Sequence, residues 1–288
     1  MRREVEPGFA LNLECWGEGP PLVLLHGFTG SARAWGPFAD ALAAENRVIA
    51  LDIAGHGLSD APSAIRHYRM QQAVEDVVAA VAFEGYKRAA WLGYSMGGRL
   101  ALQVAAAHPE AVGSAILIGA SPGIAEAAER AQRVTADEAL ARRIEADGVP
   151  AFIDYWENIP LFASQLSLPE ATRAAVRAGR LGSSARGLAN SLRGMGAGAQ
   201  EALHSALPKM AMPMLLLAGE GDAKYTAIAG EMAAALPRAR AVVVPGAGHA
   251  AHLEQPGRCI TVIRSFLAET AIDSTIPSTP STSQGARK

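Results

Sequence analysis

Cysteine, lysine and long apolar runs are all scarce in this chain of 288 residues. Its two cysteines, Cys15 and Cys259, are too few for a disulfide framework. They fit free thiols in a reducing compartment, so a cytoplasmic location is expected. No apolar run approaches the roughly 18–20 residues that a membrane helix needs. Met1-Arg2-Arg3-Glu4 leads into polar sequence with no hydrophobic segment of the signal-peptide kind. Membrane insertion is therefore not expected. Charge of one sign is not in excess either: 26 basic and 28 acidic residues leave a formal charge of −2, which argues against nucleic acid as the main partner. What is present is apolar material, 50% of residues against 19% charged, the balance of a folded chain with a large core. The basic residues are skewed, four lysines against 22 arginines.

Short apolar runs alternate with helical patterns. Leu22 to Leu25, Arg47 to Leu51, Arg88 to Leu92, Val112 to Ile118, Met214 to Leu217 and Ala241 to Val244 read as strands. Trp35 to Ala44, Met70 to Phe83, Arg99 to Ala107, Ala227 to Leu236 and a last segment through Phe266 read as helices. Strands of this kind, apolar throughout and separated by helices, imply a mostly parallel sheet covered on both faces, an α/β fold. Strand signals vanish between Gly123 and Pro208, where helix formers dominate. The expected organisation is a core of residues 1–122 and 209–271, an inserted helical cap of residues 123–208, and a Ser/Thr/Pro-rich disordered tail over 272–288.

Gly93-Tyr94-Ser95-Met96-Gly97 fits G-x-S-x-G and lies between a strand and a helix, the context of a nucleophile elbow. Such a serine needs a base and an orienting acid, in the chain order serine, acid, histidine. Asp222 and His249 both follow strands, where catalytic groups of open α/β sheets collect. Glu220 is the competing acid. The backbone N–H of Met96, at the helix start, can stabilise an oxyanion, and Phe28 in His26-Gly27-Phe28 would be the second donor. Asp52 and His56, in the loop after the next strand, read as scaffold. His249 and His252 have no third ligand in pattern and no H-E-x-x-H is present, so no metal is expected.

The His-Gly loop, Asp52-Ile53-Ala54-Gly55-His56-Gly57-Leu58-Ser59, the serine elbow and Gly246-Ala247-Gly248-His249 resemble the α/β-hydrolase superfamily over residues 9 to 268. That superfamily hosts esterases, lyases, peroxidases and non-catalytic receptors, so the resemblance alone does not set the function. A narrower resemblance is carried by Leu25 to Ser31, Gly93 to Leu102 and Gly219 to Tyr225, and within the cap by Pro160 to Gln165 and Gly187 to Gly196. These segments are similar to the menaquinone-pathway lyases, the 2-succinyl-6-hydroxy-2,4-cyclohexadiene-1-carboxylate synthases.

Some arginines stand out without that resemblance. Arg99 lies one helical turn after Ser95 and can present its guanidinium beside the nucleophile. The stretch from Ala171 to Gln200 carries Arg173, Arg177, Arg180, Arg186 and Arg193 and no acid, which suggests an anionic ligand beneath the cap. Guanidinium forks suit carboxylates.

The resemblance implies a small multi-carboxylate substrate, no cofactor, and substrate contacts from Arg99, Arg133, Arg180, Tyr94, Trp156 and Phe162. Arg130 competes with Arg133 and Arg177 with Arg180, and His252 matches a family histidine. It further implies elimination of pyruvate after proton abstraction by the serine and histidine. Two other functions are compatible with the same residues: a serine hydrolase, as carboxylesterase or carbon–carbon bond hydrolase, and a non-catalytic small-molecule receptor. Oligomeric state is not legible.

Overall fold

Apolar runs that are buried on both faces need helices above and below them. The computed structural model of the protein, which describes residues 1–270, has this arrangement; the expected tail of 272–288 lies outside the described residues. Eight strands make one sheet: β1 (Arg2–Glu6), β2 (Phe9–Trp16), β3 (Pro21–Leu25), β4 (Arg47–Asp52), β5 (Ala89–Tyr94), β6 (Val112–Ile118), β7 (Met214–Gly219) and β8 (Ala239–Val244). Their order is β1-β2-β4-β3-β5-β6-β7-β8, parallel from β4 to β8 and antiparallel where β2 meets β1 and β4. β3, β6 and β7 are buried along their whole length.

Nine α-helices are present among the described residues: α1 (Gly36–Ala43), α2 (Met70–Phe83), α3 (Met96–Ala107), α4 (Ala127–Trp156), α5 (Glu170–Leu181), α6 (Ala185–Met195), α7 (Ala223–Ala235), α8 (Ala251–Glu254) and α9 (Pro256–Glu269). One face of the sheet packs α2, α3 and α7 through Val77, Leu100 and Met232. The other packs α1 and α9 through Phe38, Leu42, Ile263 and Phe266.

The antiparallel pair β1–β2 is absent from the sequence reading. In β2 only alternate positions, Phe9, Leu11 and Leu13, are apolar and buried, so no continuous run marks it. The helix read from Trp35 starts as a 3₁₀ turn, Ala32–Trp35, before Pro37 opens α1. The strand read to Leu92 runs on to Tyr94, pairing with Ile118 of β6.

Between β6 and β7 the chain runs through α4, a 3₁₀ segment (Pro160–Ser167), α5 and α6. α4 bends at Gly148, whose φ of 79° is open to glycine, just before Pro150. Ile144, Phe152, Ile153, Leu188 and Leu192 form a separate apolar cluster there, with Phe28 packed against it. α6 is anchored by two glycines seven residues apart: a Cβ on Gly187 would lie 2.0 Å from the Gly55 carbonyl oxygen, and one on Gly194 would lie 2.2 Å from that of Tyr68. α5 buries none of its residues.

Candidate active site

The central strand β5 ends at Tyr94, and the chain turns at Ser95 with φ 51° and ψ −108°, a conformation costly for any residue with a Cβ. The turn is tight enough to exclude side chains around it. A Cβ on Gly93 would stand 2.2 Å from the Gly97 carbonyl oxygen, and one on Gly97 would stand 2.1 Å from that of Leu25. Ser95 donates its N–H to Ile118 O at 2.8 Å and accepts from Arg99 N at 3.0 Å, so both its neighbours in the sheet and its own helix hold the strained turn.

The Ser95 hydroxyl lies 3.0 Å from His249 Nε2, and His249 Nδ1 lies 2.7 Å from Asp222 Oδ2. The other Asp222 oxygen accepts from Tyr225 N at 3.3 Å as the cap of α7, so the carboxylate is held from two sides. Glu220 accepts from Gly246 N at 3.0 Å on the surface and forms no contact with His249. The loop carrying His249 is braced by Glu254, which accepts from Gly248 N at 2.6 Å and from Ala250 N at 3.2 Å. Sequence reasoning missed Glu254, since a lone acid in a short helix carries no signal.

Phe28 and Met96 line the cavity beside Ser95. Neither backbone N–H has a protein partner among the described residues. The Phe28 loop is fixed by His26, whose Nε2 accepts from Ile53 N at 3.0 Å. Asp52 ties neighbouring loops by accepting from Ala32 N, Leu58 N and Asn12 Nδ2. Burial pushes His56 down to about 3, and burial beside a second imidazole, that of His249, pushes His252 to about 3, so both are neutral. His252 sits among Trp35, Phe38 and Tyr94, with the Tyr94 ring centroid 4.5 Å away, as part of the floor beneath the site.

A cavity of about 570 Å³ opens over Ser95. Tyr94, Arg99, Arg133, Trp156 and Phe162 all line it. So do Arg143, Ser191 and Tyr225, which the sequence reading did not single out. Arg143 stacks over Tyr155 at 4.3 Å, and Tyr225 lies against the His249 ring at 4.6 Å. Only the fold brings these three near Ser95, because they come from α4, α6 and α7.

Arg99 is enclosed under the cap, and desolvation pulls its pKa to about 10, still charged at neutral pH. Its Nη1 donates to Met195 O at 2.8 Å and to Gln200 Oε1. Arg133 donates to Asp137 Oδ1 at 2.9 Å. Arg130, its competitor, turns to the carbonyls of Ile124 and Ala125 and does not line the cavity.

The cap arginines are placed as follows by the fold. Arg180 is not among the residues lining the cavity. It packs behind Phe162, 5.2 Å over the ring, within 3.5 Å of Glu157 and 3.4 Å of Gln165. Three of the five arginines of residues 171–200 are also compensated by acids, Arg180 by Glu157 among them. Arg177 pairs with Asp154 and Glu157, and Arg193 with Glu138 and Glu145. The compensating acids stand on or just after α4, outside the window in which the charges were counted. Arg173 and Arg186 are exposed.

Among the described residues no three His, Cys, Asp or Glu side chains cluster as a metal site, and no helix is long and apolar enough to cross a membrane.

A strained serine at a strand-to-helix turn, in reach of a histidine backed by a carboxylate, agrees with the family model for the alpha/beta hydrolase fold, which matches residues 20–256. The chain belongs to the α/β-hydrolase fold family. Within it, the chain is 43% identical over 256 residues to a Bacillus subtilis protein that bears the name 2-succinyl-6-hydroxy-2,4-cyclohexadiene-1-carboxylate synthase provisionally, covering 87% of this chain and 92% of that one. It is 31% identical over 248 residues to the synthase of that name from Salmonella paratyphi C, covering 86% and 94%. The solved structure of MenH from S. aureus superposes with a TM-score of 0.85 at 32% identity, covering 90% of this chain and 98% of that one.

Proposed function

We propose that this protein is a lyase of menaquinone biosynthesis. It eliminates pyruvate from 2-succinyl-5-enolpyruvyl-6-hydroxy-3-cyclohexene-1-carboxylate and yields 2-succinyl-6-hydroxy-2,4-cyclohexadiene-1-carboxylate. The observation that carries this reading is the 43% identity across 92% of a relative bearing that synthase name. The cavity agrees with it, since Arg99 and Arg133 stand near the serine as a substrate with several carboxylates would require.

In this reading His249, held in orientation by Asp222, takes the Ser95 proton as Ser95 removes the proton from the ring carbon alpha to the succinyl carbonyl. Charge develops on that carbonyl oxygen, where the N–H groups of Phe28 and Met96 receive it. The carbon–hydrogen electron pair becomes a ring double bond, the existing double bond shifts, and the carbon–oxygen bond to the enolpyruvyl group breaks. The leaving enolate accepts a proton and becomes pyruvate. Ser95 forms no bond to carbon, so no acyl-enzyme arises. Tyr94, Trp156 and Phe162 hold the ring, Arg99 and Arg133 the carboxylates, and Arg180 supports Phe162 from behind. The helices of 123–208 act as a cap over a core of 1–122 and 209–271, and the site is cytoplasmic.

The same three residues also support a serine hydrolase, in which Ser95 attacks an ester carbonyl and forms an acyl-enzyme. An assay that supplies the enolpyruvyl intermediate separates the two. The lyase releases pyruvate and forms a conjugated diene. Rapid turnover of p-nitrophenyl acetate with no pyruvate release would replace the lyase by the hydrolase.

A further inference from the structure

The charged groups around the cavity are neutralised in unequal ways. Arg133 is paired with Asp137 and Arg143 with Asp147, and behind the lining Arg180 faces Glu157. Arg99 has no carboxylate within ion-pair distance among the described residues. Its two acceptors, the Met195 carbonyl and the Gln200 amide oxygen, are neutral, and both are used by Nη1. Nε and Nη2 have no protein partner among the described residues, on a side chain that lines the cavity. An enclosed cation held only by neutral groups lacks its counter-charge, and the open N–H groups are where an anion would supply it.

Gln200 is only 2% exposed, and its Nε2 has no acceptor. A buried amide with an unpaired donor half is unfavourable, so what the position gains lies in the oxygen half aimed at Arg99. Gly123 makes room for that amide: a Cβ there would stand 3.0 Å from Gln200 Nε2. A glutamate would fit nearly the same space and bind Arg99 more strongly, but it would cancel the charge.

We infer that Gln200 is a positioning residue that fixes the Arg99 guanidinium without neutralising it, so that a substrate carboxylate supplies the missing anion. The inference rests on the lyase reading for the identity of that carboxylate, but its test does not need turnover.

Succinate is the probe, titrated by calorimetry into the wild-type protein, Gln200→Glu and Gln200→Met. Thermal unfolding of each variant checks the fold. Gln200→Glu should melt at or above the wild-type temperature yet bind succinate about tenfold more weakly or worse, a loss that a purely structural role would not produce. Gln200→Met, which keeps the bulk and removes the oxygen, should weaken binding by a smaller factor, about threefold. It decides the matter if Gln200→Glu fails to fold. With the enolpyruvyl intermediate as substrate, Gln200→Glu should raise KM and leave kcat nearly intact. Wild-type affinity for succinate in both variants, or no succinate binding by the wild type, would overturn the inference. Absence of pyruvate release with the succinate pattern intact would remove the lyase reading and leave this one standing.

Discussion

On the sheet side of the cavity Ser95, Asp222 and His249 sit at strand ends, and main-chain N–H donors hold each turn: Ser95 N to the Ile118 carbonyl, Tyr225 N to the Asp222 carboxylate, Gly248 N to the Glu254 carboxylate. On the cap side the polar groups hang from helices and are held by other side chains, as Arg177 is by Asp154 and Glu157 and Arg193 by Glu138 and Glu145. Placement by the main chain leaves fewer free torsions than placement by a long side chain, and proton transfer is sensitive to misplacement on the order of 1 Å. Side-chain pairs near the surface contribute little stability each and shift easily. Chemistry and selectivity are thus assigned to parts of different stiffness.

Substitutions that break the sheet side should have the largest effect. Ser95→Ala or His249→Ala should lower kcat by about a thousandfold or more, with the double variant hardly worse, because the two groups act as one base. Fully additive losses in steady-state kinetics would contradict that unit. Asp222→Asn comes next, about a hundredfold or more in kcat with the fold preserved, since the imidazole loses the partner that sets its tautomer. Glu220→Gln should be silent. If the two variants exchange behaviour, Asp222 is not the orienting acid.

Crossing to the cap sharpens the contrast. Arg99→Ala should cost about 2–5 kcal/mol in kcat/KM for the anionic substrate and leave any hydrolysis of a small neutral ester unaffected. Arg193→Ala removes two ion pairs yet should change kcat/KM little and stability by less than about 1 kcal/mol. Equal losses on anionic and neutral substrates would make Arg99 structural.

A last comparison separates the two sides by solution conditions. His56 and His252 titrate near 3 in the folded chain and near 6.5 when unfolded. Their contribution is complete above pH 6.5 and is lost as the pH falls toward 3, by roughly 1.4 kcal/mol per histidine per pH unit. Unfolding by denaturant should therefore be easier at pH 5 than at pH 7. Moderate salt, which screens the ion pairs of the cap, should change it less. A midpoint that ignores pH and follows salt would reverse the comparison.

The parallel strands and the chemistry at their ends were legible because each leaves a local mark: an unbroken apolar run, or glycines around a serine. β2 was not legible, although it is eight residues long, because its buried apolar residues only alternate with polar or small ones and leave no unbroken run. The placement of Arg180, Arg177 and Arg193 was lost for another reason. Their partners Glu157, Asp154, Glu138 and Glu145 belong to or adjoin another helix, and charge counted along a window of sequence does not register acids that the fold brings in from elsewhere. Arg143, Ser191 and Tyr225 reach the cavity only through the packing of α4, α6 and α7.

The two backbone seats of α6 divide the roof mechanically. With Gly187 resting on Gly55 and Gly194 on Tyr68, α6 cannot slide or lift without breaking contacts that have no side chain to flex. It behaves as a fixed beam bolted to the connection between β4 and α2. α5, with no buried residue, has no such bolts and is the sash of the same window. A substrate entering past α5 would leave the beam, and with it the Met195 carbonyl that steadies Arg99, where it stands. A methyl group added at position 187 or 194 would tilt that beam, and its effect would be felt at an arginine it never touches.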